Sequence, residues 1–550
     1  MRNKLIAIVV FFICIMPAYT HVGSPGVIFE GQAGKYDVMV NINPPDVIPG
    51  TALVTLLVES ERELKVSAKP VYWFAGYEGT PKADELLPVK GESGKYRGIV
   101  WMMNSGSSSV EVTIDDGEEI SSVFVPVMAI ATAQKEMEPG LGYVLAILAA
   151  LLVAIMITIV ASSASTAMLK PGELPDKRIN RKKWFGAIAS IVVLALLLFG
   201  GKNWWDSWAE DYNRYMYKPM AAKGEIIQEA GKQKLIFKAD EKSLTSLSSL
   251  RKMNWVIPDH GKLMHMFMIR KGTMDVFAHL HPTRIDSTTF ETTLPNLPSG
   301  RYYIFADITR VTGFAETLVD TVDIPEMNVA FASLDSVILD KDDTFMITNA
   351  LLDTDQPQLL DANMMICGTP GSITELPDGS TAILEAPASG DFVANELYKL
   401  TFLIQDPDGE PAELEPYLGM MGHAVIMRED AGVFIHLHPV GNYSMGSQQV
   451  MEERFSRGGN AWAALPKVSK VFADSIDQVL VGYSQMSVEE LDKIMMGDMV
   501  HDINDPAHEG HSVVAFPYAF PEAGKYRIWL QFKRNGRILN AAFDTEVKEF

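Results

Sequence analysis

Residues 141–165 (LGYVLAILAALLVAIMITIVASSAS) run for 25 positions without a charged side chain. Coiled as a helix, about 20 such residues cover the hydrocarbon of a bilayer. The alternative is a buried helical hairpin in a water-soluble core, and uncharged runs of this length argue against it. A second apolar run, Phe185 to Gly201, is shorter. Trp184 flanks one end of it and Trp204, Trp205 and Trp208 the other, as interfacial anchors do. Between the runs Lys170, Lys177, Arg178, Arg181, Lys182 and Lys183 stand against only Glu173 and Asp176. Positive loops stay on the cytoplasmic side. The reading is a transmembrane helical hairpin over 139–205 with a short basic cytoplasmic loop. The chain on either side of it is expected to face the periplasm from a bacterial inner membrane.

The first 20 residues read as a signal peptide: Arg2 and Lys4, the apolar stretch Leu5 to Met16, then Pro17-Ala18-Tyr19-Thr20. Cleavage after Thr20 would leave His21 first, and an uncleaved segment gives the same orientation. A net charge of -22 argues against a nucleic-acid partner, which needs a basic face. Two cysteines, Cys14 and Cys367, exclude a disulfide scaffold and a cysteine-rich zinc ribbon.

Outside the membrane segments the chain reads as mainly β, several β-sandwich domains. Residues 21–138 carry short β-branched runs separated by Pro44-Pro45, Pro49-Gly50 and Asp115-Asp116-Gly117, and are expected to form one sandwich. Beyond them lies an internal repeat. Pro258-Asp259-His260-Gly261 through His265, then Phe277-Ala278-His279-Leu280-His281-Pro282, returns as Pro416-Tyr417-Leu418-Gly419 through His423, then Phe434-Ile435-His436-Leu437-His438-Pro439. A Gly-x-Tyr phrase follows in each, Gly300-Arg301-Tyr302 and Gly524-Lys525-Tyr526. This predicts a duplicated β unit, 223–325 and 397–550, joined by a β-rich connecting segment, 326–396. The second copy carries a partly helical insertion, 443–508, in which Ser487-Val488-Glu489-Glu490 fits a capping box opening a helix through Met496.

Of the 11 histidines, seven sit in the repeated phrases. In His-x-His on a strand both imidazoles point to one face, with Leu280 and Leu437 on the other. A hairpin folded about Gly272 places His265 opposite His279. The same construction about Glu429-Asp430 brings His423 beside His436 and His438. Three neutral imidazoles suit zinc or copper, and thioethers favour copper(I). The expected metal ligands are His265, His279 and His281 in one site and His423, His436 and His438 in another, with His260, Met264 and Met420 as auxiliaries. His21 is a separate candidate, able to chelate copper(II) through amine and ring if it becomes the first residue. Copper is the first choice of cofactor and zinc the second. The bland reading is that these are structural histidines, since Phe267 and Phe277 share their face. His508-Glu509-Gly510-His511 is one residue short of the zinc-protease HExxH spacing and reads as a polar loop.

The N-terminal phrase His21-Val22-Gly23-Ser24-Pro25, with Gly98 to Met103, resembles the YtkA-like/FixH-like exported β domains. The distal phrases around His279-x-His281-Pro282 and His436-x-His438-Pro439 resemble exported domains of uncharacterised bacterial membrane proteins linked with copper and heavy metals. The resemblance implies metal handling near the inner membrane, with no defined reaction. No nucleophile elbow, P-loop, HExxH or dinucleotide fingerprint is present, so no enzyme is expected. The expected function is a membrane-anchored copper-binding, delivery or resistance protein acting through His/Met sites at sandwich edges, with a protein partner in the membrane or periplasm. The competing expectation is a structural or assembly factor of a respiratory or transport complex.

Overall fold

The computed structural model describes residues 21–22, 26–60, 62, 64–170, 172–229, 232–244, 249–326, 340–351, 364–460, 465–496 and 512–550. The chain divides into two units, residues 130–218 and the remainder. The fold is mainly β, with five helices among the described residues.

The smaller unit holds two helices long and apolar enough to cross a membrane, Pro139–Ser163 (α1) and Lys177–Tyr215 (α2). Asp176 caps α2 by accepting from the Ile179 amide at 2.7 Å, where a carboxylate also offsets the helix dipole. The helices approach closely at Gly186, where a Cβ would lie 3.1 Å from that of Ala164. The second span, read as Phe185 to Gly201, continues through the tryptophans to Tyr215 as one helix.

In the larger unit, residues 27–129 contribute one eight-stranded antiparallel sheet whose alternate side chains, among them Val40, Val54, Leu56 and Val112, are fully buried. Each repeat is a sandwich of a six-stranded and a four-stranded sheet. In repeat one the larger sheet is built on His265–Arg270 (β1), Val276–Leu280 (β2), Gly300–Arg310 (β3) and Ala315–Ile324 (β4). In repeat two the equivalents are His423–Arg428 (β5), Val433–Leu437 (β6), Gly524–Arg534 (β7) and Arg537–Lys548 (β8). Alternation sets the faces. Met266, Met268, Leu280 and Ile304 turn into the core of repeat one, and Ala424, Ile426, Leu437 and Ile528 into that of repeat two.

The other faces of the two larger sheets meet. Phe267, Ile269, Phe277 and Phe305 pack with Val425, Met427, Phe434 and Trp529 in one core. The duplication is visible here as a crossed pair of stacks. Phe305 lies on Phe434 with centroids 3.8 Å apart, and Phe277 on Trp529 at 5.0 Å. Arg527, fully buried, spans the junction: it holds Asp544 through two nitrogens and donates to the carbonyls of Met274 and Asn349.

Three expectations change. The described strands of the connecting segment 326–396 divide between the two repeats. Thr344–Ile347 extends the sheet of repeat one beside β2, and Ile373–Glu375 and Thr381–Leu384 belong to the smaller sheet of repeat two. The N-terminal sheet shares one compact unit with the two repeats. His21–Val22 pairs in parallel with β6, and the helix Met445–Arg457 (α3) of the insertion packs Met451 and Phe455 on Val71 and Trp73. Both hairpins are also offset by two residues: His279 pairs with Phe267 and His436 with Val425. Met274 and Ala431 take up left-handed conformations, φ 53° and 59°, and bond back to Arg270 and Arg428, which lengthens each turn. A two-residue slip preserves the face, because strand side chains alternate with period two.

The insertion, read as partly helical, carries Ser469–Ser484 (α4) and Val488–Met496 (α5) after α3 among its described residues. The capping box forms: the Glu490 amide donates to Ser487 Oγ at 3.2 Å, and the Ser487 amide to Glu490 Oε2 at 3.0 Å. His501, His508 and His511 lie outside the described residues.

Candidate metal centre

Because the imidazole-bearing faces of the two repeats oppose each other, the two expected trios form one cluster. It sits between the sandwiches, where the aromatic junction gives way to polar side chains, and not at sandwich edges. Seven rings take part, His260, His265, His279, His281, His423, His436 and His438, each 0–9 % exposed. Within repeat one, His279 and His281 have centroids 4.5 Å apart and His265 and His281 5.1 Å. Between repeats, His260 lies 4.9 Å from His438 and 5.4 Å from His423, and His265 lies 5.6 Å from His436.

Hydrogen-bond partners assign the tautomers. A neutral imidazole carries one N–H, so a nitrogen that faces an acceptor must hold the proton and the other must hold a lone pair. His265 Nε2 donates to the Asp259 carbonyl at 3.0 Å. His279 Nδ1 donates to Gln531 Oε1 at 2.9 Å, and that amide is oriented by Gln531 Nε2 donating to Asn540 Oδ1. His281 Nδ1 donates to Asp343 Oδ1 at 2.9 Å, and His438 Nδ1 to the Tyr443 carbonyl at 2.9 Å. His260 Nε2 lies 3.6 Å from Asp259 Oδ1, beyond hydrogen-bond distance. The opposite nitrogens all turn inward. His260 Nε2, His281 Nε2, His436 Nε2, His438 Nε2 and both nitrogens of His423 are buried without a partner. His265 Nδ1 and His279 Nε2 face each other at 3.2 Å, and the tautomers just assigned give both a lone pair. Two lone pairs at that distance repel unless a cation lies between them. His265, His279, His281 and His438 thus have an acceptor behind the ring and a lone pair in front, the arrangement that outer partners give to metal-ligating imidazoles.

Burial keeps the rings neutral. It pushes His265 down to about 4 and His438 to about 3, and drives His279, His281, His423 and His436 well below the ordinary value, with neighbouring imidazoles adding to the effect. Burial likewise raises the carboxyls of Asp307 and Asp343 to about 7.

Three groups have ligand atoms within 4.8 Å of one another: His265, His279 and His281; His260, His423 and His438; and His281, Asp340 and Asp343. In the last, Lys262 already pairs with Asp340 at 2.6 Å. Of the thioethers, Met264 lies in the apolar core of repeat one. Met420 closes the turn that begins at Tyr417, by mutual backbone bonds. His21 pairs through its backbone with Val433, on the strand that carries His436.

Sequence reasoning missed the carboxylates and amides. Asp307 faces His265 across β1 and β3, and Gln531 faces His423 across β5 and β7. Each reaches into the opposite repeat: Gln531 to His279, and Asp307 to within 3.6 Å of His436. Both stand seven residues after the glycine of the Gly-x-Tyr phrase, so the repeat alone would have marked them. Asp343 and Tyr443 carry no such signal.

The family described as "Domain of unknown function (DUF8832)" matches residues 377–462 and 495–549. That region holds His423, His436 and His438. No curated protein matches the chain. Among solved structures, the chain is similar to a tetra-tandem repeat from the extending region of a large adhesion protein. Identity is 8 %, coverage 92 % of this chain and 71 % of that one, and the TM-score 0.15. It is also similar to dimeric latent PorU from Porphyromonas gingivalis, with 7 % identity, coverage of 92 % and 32 %, and a TM-score of 0.13. At these scores neither likeness bears on fold or function.

Proposed function

We propose that this chain is a membrane-anchored, periplasm-facing protein that holds copper, with zinc as second choice, in its imidazole cluster, for storage, delivery or resistance and not for turnover. The supporting observation is the set of buried, partnerless ring nitrogens. An unpaired buried polar atom costs about 1–3 kcal/mol, and six of them in one cluster would be a heavy penalty without a cation. Neutral imidazole suits both metals. The two apolar helices and the basic loop between them support the orientation, which labelling of a Lys177→Cys variant from each side of the membrane tests.

Elemental analysis of the full-length protein in detergent tests the binding. Wild type is expected to retain metal, and His279→Ala/His281→Ala and His436→Ala/His438→Ala each to retain less. Equal metal content in all three would overturn the proposal. One observation favours the structural alternative: His279 stacks on Phe267 at 4.3 Å, continuing the aromatic junction. Under that reading added metal leaves the urea midpoint unchanged.

A further inference from the structure

We propose that the cluster is a two-ion centre with unlike halves, an inference that rests on the metal reading above. A zinc or copper ion in a protein site takes about four ligands at roughly 2.0–2.1 Å from nitrogen. The cluster offers more than one ion can use. His265 Nδ1, His279 Nε2 and His281 Nε2 converge as one set, and His260, His423 and His438 as another, and the sets share no residue. A single ion would satisfy one set and leave the other's lone pairs buried and unpaired.

His436 belongs to neither set. Its ring lies 4.5 Å from His438 and 5.4 Å from His423 on one side, and 5.6 Å from His265 and 5.8 Å from His279 on the other, and its Nε2 is without a partner. It stands between the two positions as a fourth donor.

The halves differ because one ligand has crossed over. His260 and Leu418 occupy the same place in the repeated turn, with φ 49° and 53°, each followed by a glycine at φ 76°. In repeat one that place holds an imidazole directed to the set of repeat two. In repeat two it holds an apolar side chain that returns nothing. One position is therefore built within a single repeat and the other across both. The second shells differ too. Each ring of the first set has its far nitrogen on an acceptor, whereas His423 in the second has neither nitrogen bonded.

The test is a count of ions per chain. Full-length protein in detergent is loaded with copper(I) alone under anaerobic reducing conditions, and separately with zinc alone, desalted and analysed for metal. Wild type is expected to hold two ions, His260→Leu one, His281→Ala one, and the double variant none. Leucine already fills the equivalent turn at Leu418, so His260→Leu preserves the fold. One ion in wild type, or loss of both ions in His260→Leu, overturns the two-ion centre and leaves the metal reading standing. No ion in wild type overturns both. If His281→Ala fails to fold, the wild-type count and His260→Leu decide.

Discussion

Asp343 gives the sharpest test of the reasoning about tautomers. Its carboxylate, with a side chain 2 % exposed, accepts from the His281 amide at 2.8 Å and from His281 Nδ1 at 2.9 Å. Asp343→Leu strands two buried donors. At about 1–3 kcal/mol each, the metal-free protein should lose roughly 2–6 kcal/mol. It also frees His281 to move its proton to the inward nitrogen, where the lone pair is needed. Loss of such an outer partner weakens metal binding by about 10–100-fold. Asp343→Asn keeps an oxygen that accepts both bonds. Burial already raises the carboxyl to about 7, so removing its charge should cost within about 1 kcal/mol near neutral pH. Urea unfolding without metal and competition with a chromophoric chelator read the two effects separately. Equal metal affinity for the Leu and Asn variants would refute the claim that Asp343 fixes the His281 tautomer.

Acid should destabilise the metal-free protein. His265 and His438 have folded values of about 4 and 3, below the ordinary 6.5, so the unfolded state takes up protons first and stability falls as pH drops from about 6.5 toward 4. Between pH 7.5 and 5.0 each costs about 2 kcal/mol, read as a falling urea midpoint. Asp307 and Asp343, raised to about 7, act in the opposite sense and are protonated in the folded state. Asp307→Asn/Asp343→Asn should therefore steepen the acid limb, and a midpoint independent of pH would contradict the assignment. Phe434→Ala opens the junction at its tightest stack and should cost about 3–5 kcal/mol, with metal lost from the cross-repeat set before the repeat-one set. Arg527→Met leaves Asp544 without its partner and the Met274 and Asn349 carbonyls and Thr348 Oγ1 unfilled, and should cost about 3–5 kcal/mol in a urea melt.

Much of the fold was legible in the sequence because it is written in local signals. The uncharged run marked α1, Ser487 and Glu490 marked α5, and the paired phrases marked two copies of one β unit. The face carrying the imidazoles was legible too, since alternation fixes it whatever the register. Register itself was not, because the turn length depends on left-handed residues, Met274 and Ala431, that carry no glycine signature. The largest miss was the convergence of two trios into one cluster. Phe267 and Phe277 on the imidazole face did suggest burial. What buries them is Phe434, Trp529 and their neighbours, far along the chain in the second repeat, and no local pattern reports which surface covers which. Met264 was misplaced for a related reason: adjacency to His265 in sequence puts it on the opposite side of the strand, in the core.

The shared turn at His260 and Leu418 has a broader consequence. Two separate copies of one subunit meeting about a dyad must present the same side chain at every equivalent place. Tandem fusion removes that constraint. Asp259 matches Tyr417 and Asp307 matches Gln531 by the same superposition of strands, so each of these places has diverged chemically on a scaffold that has stayed the same. A gene joined to its own duplicate can thus tune two neighbouring positions independently, which a pair of freely associating identical chains cannot do.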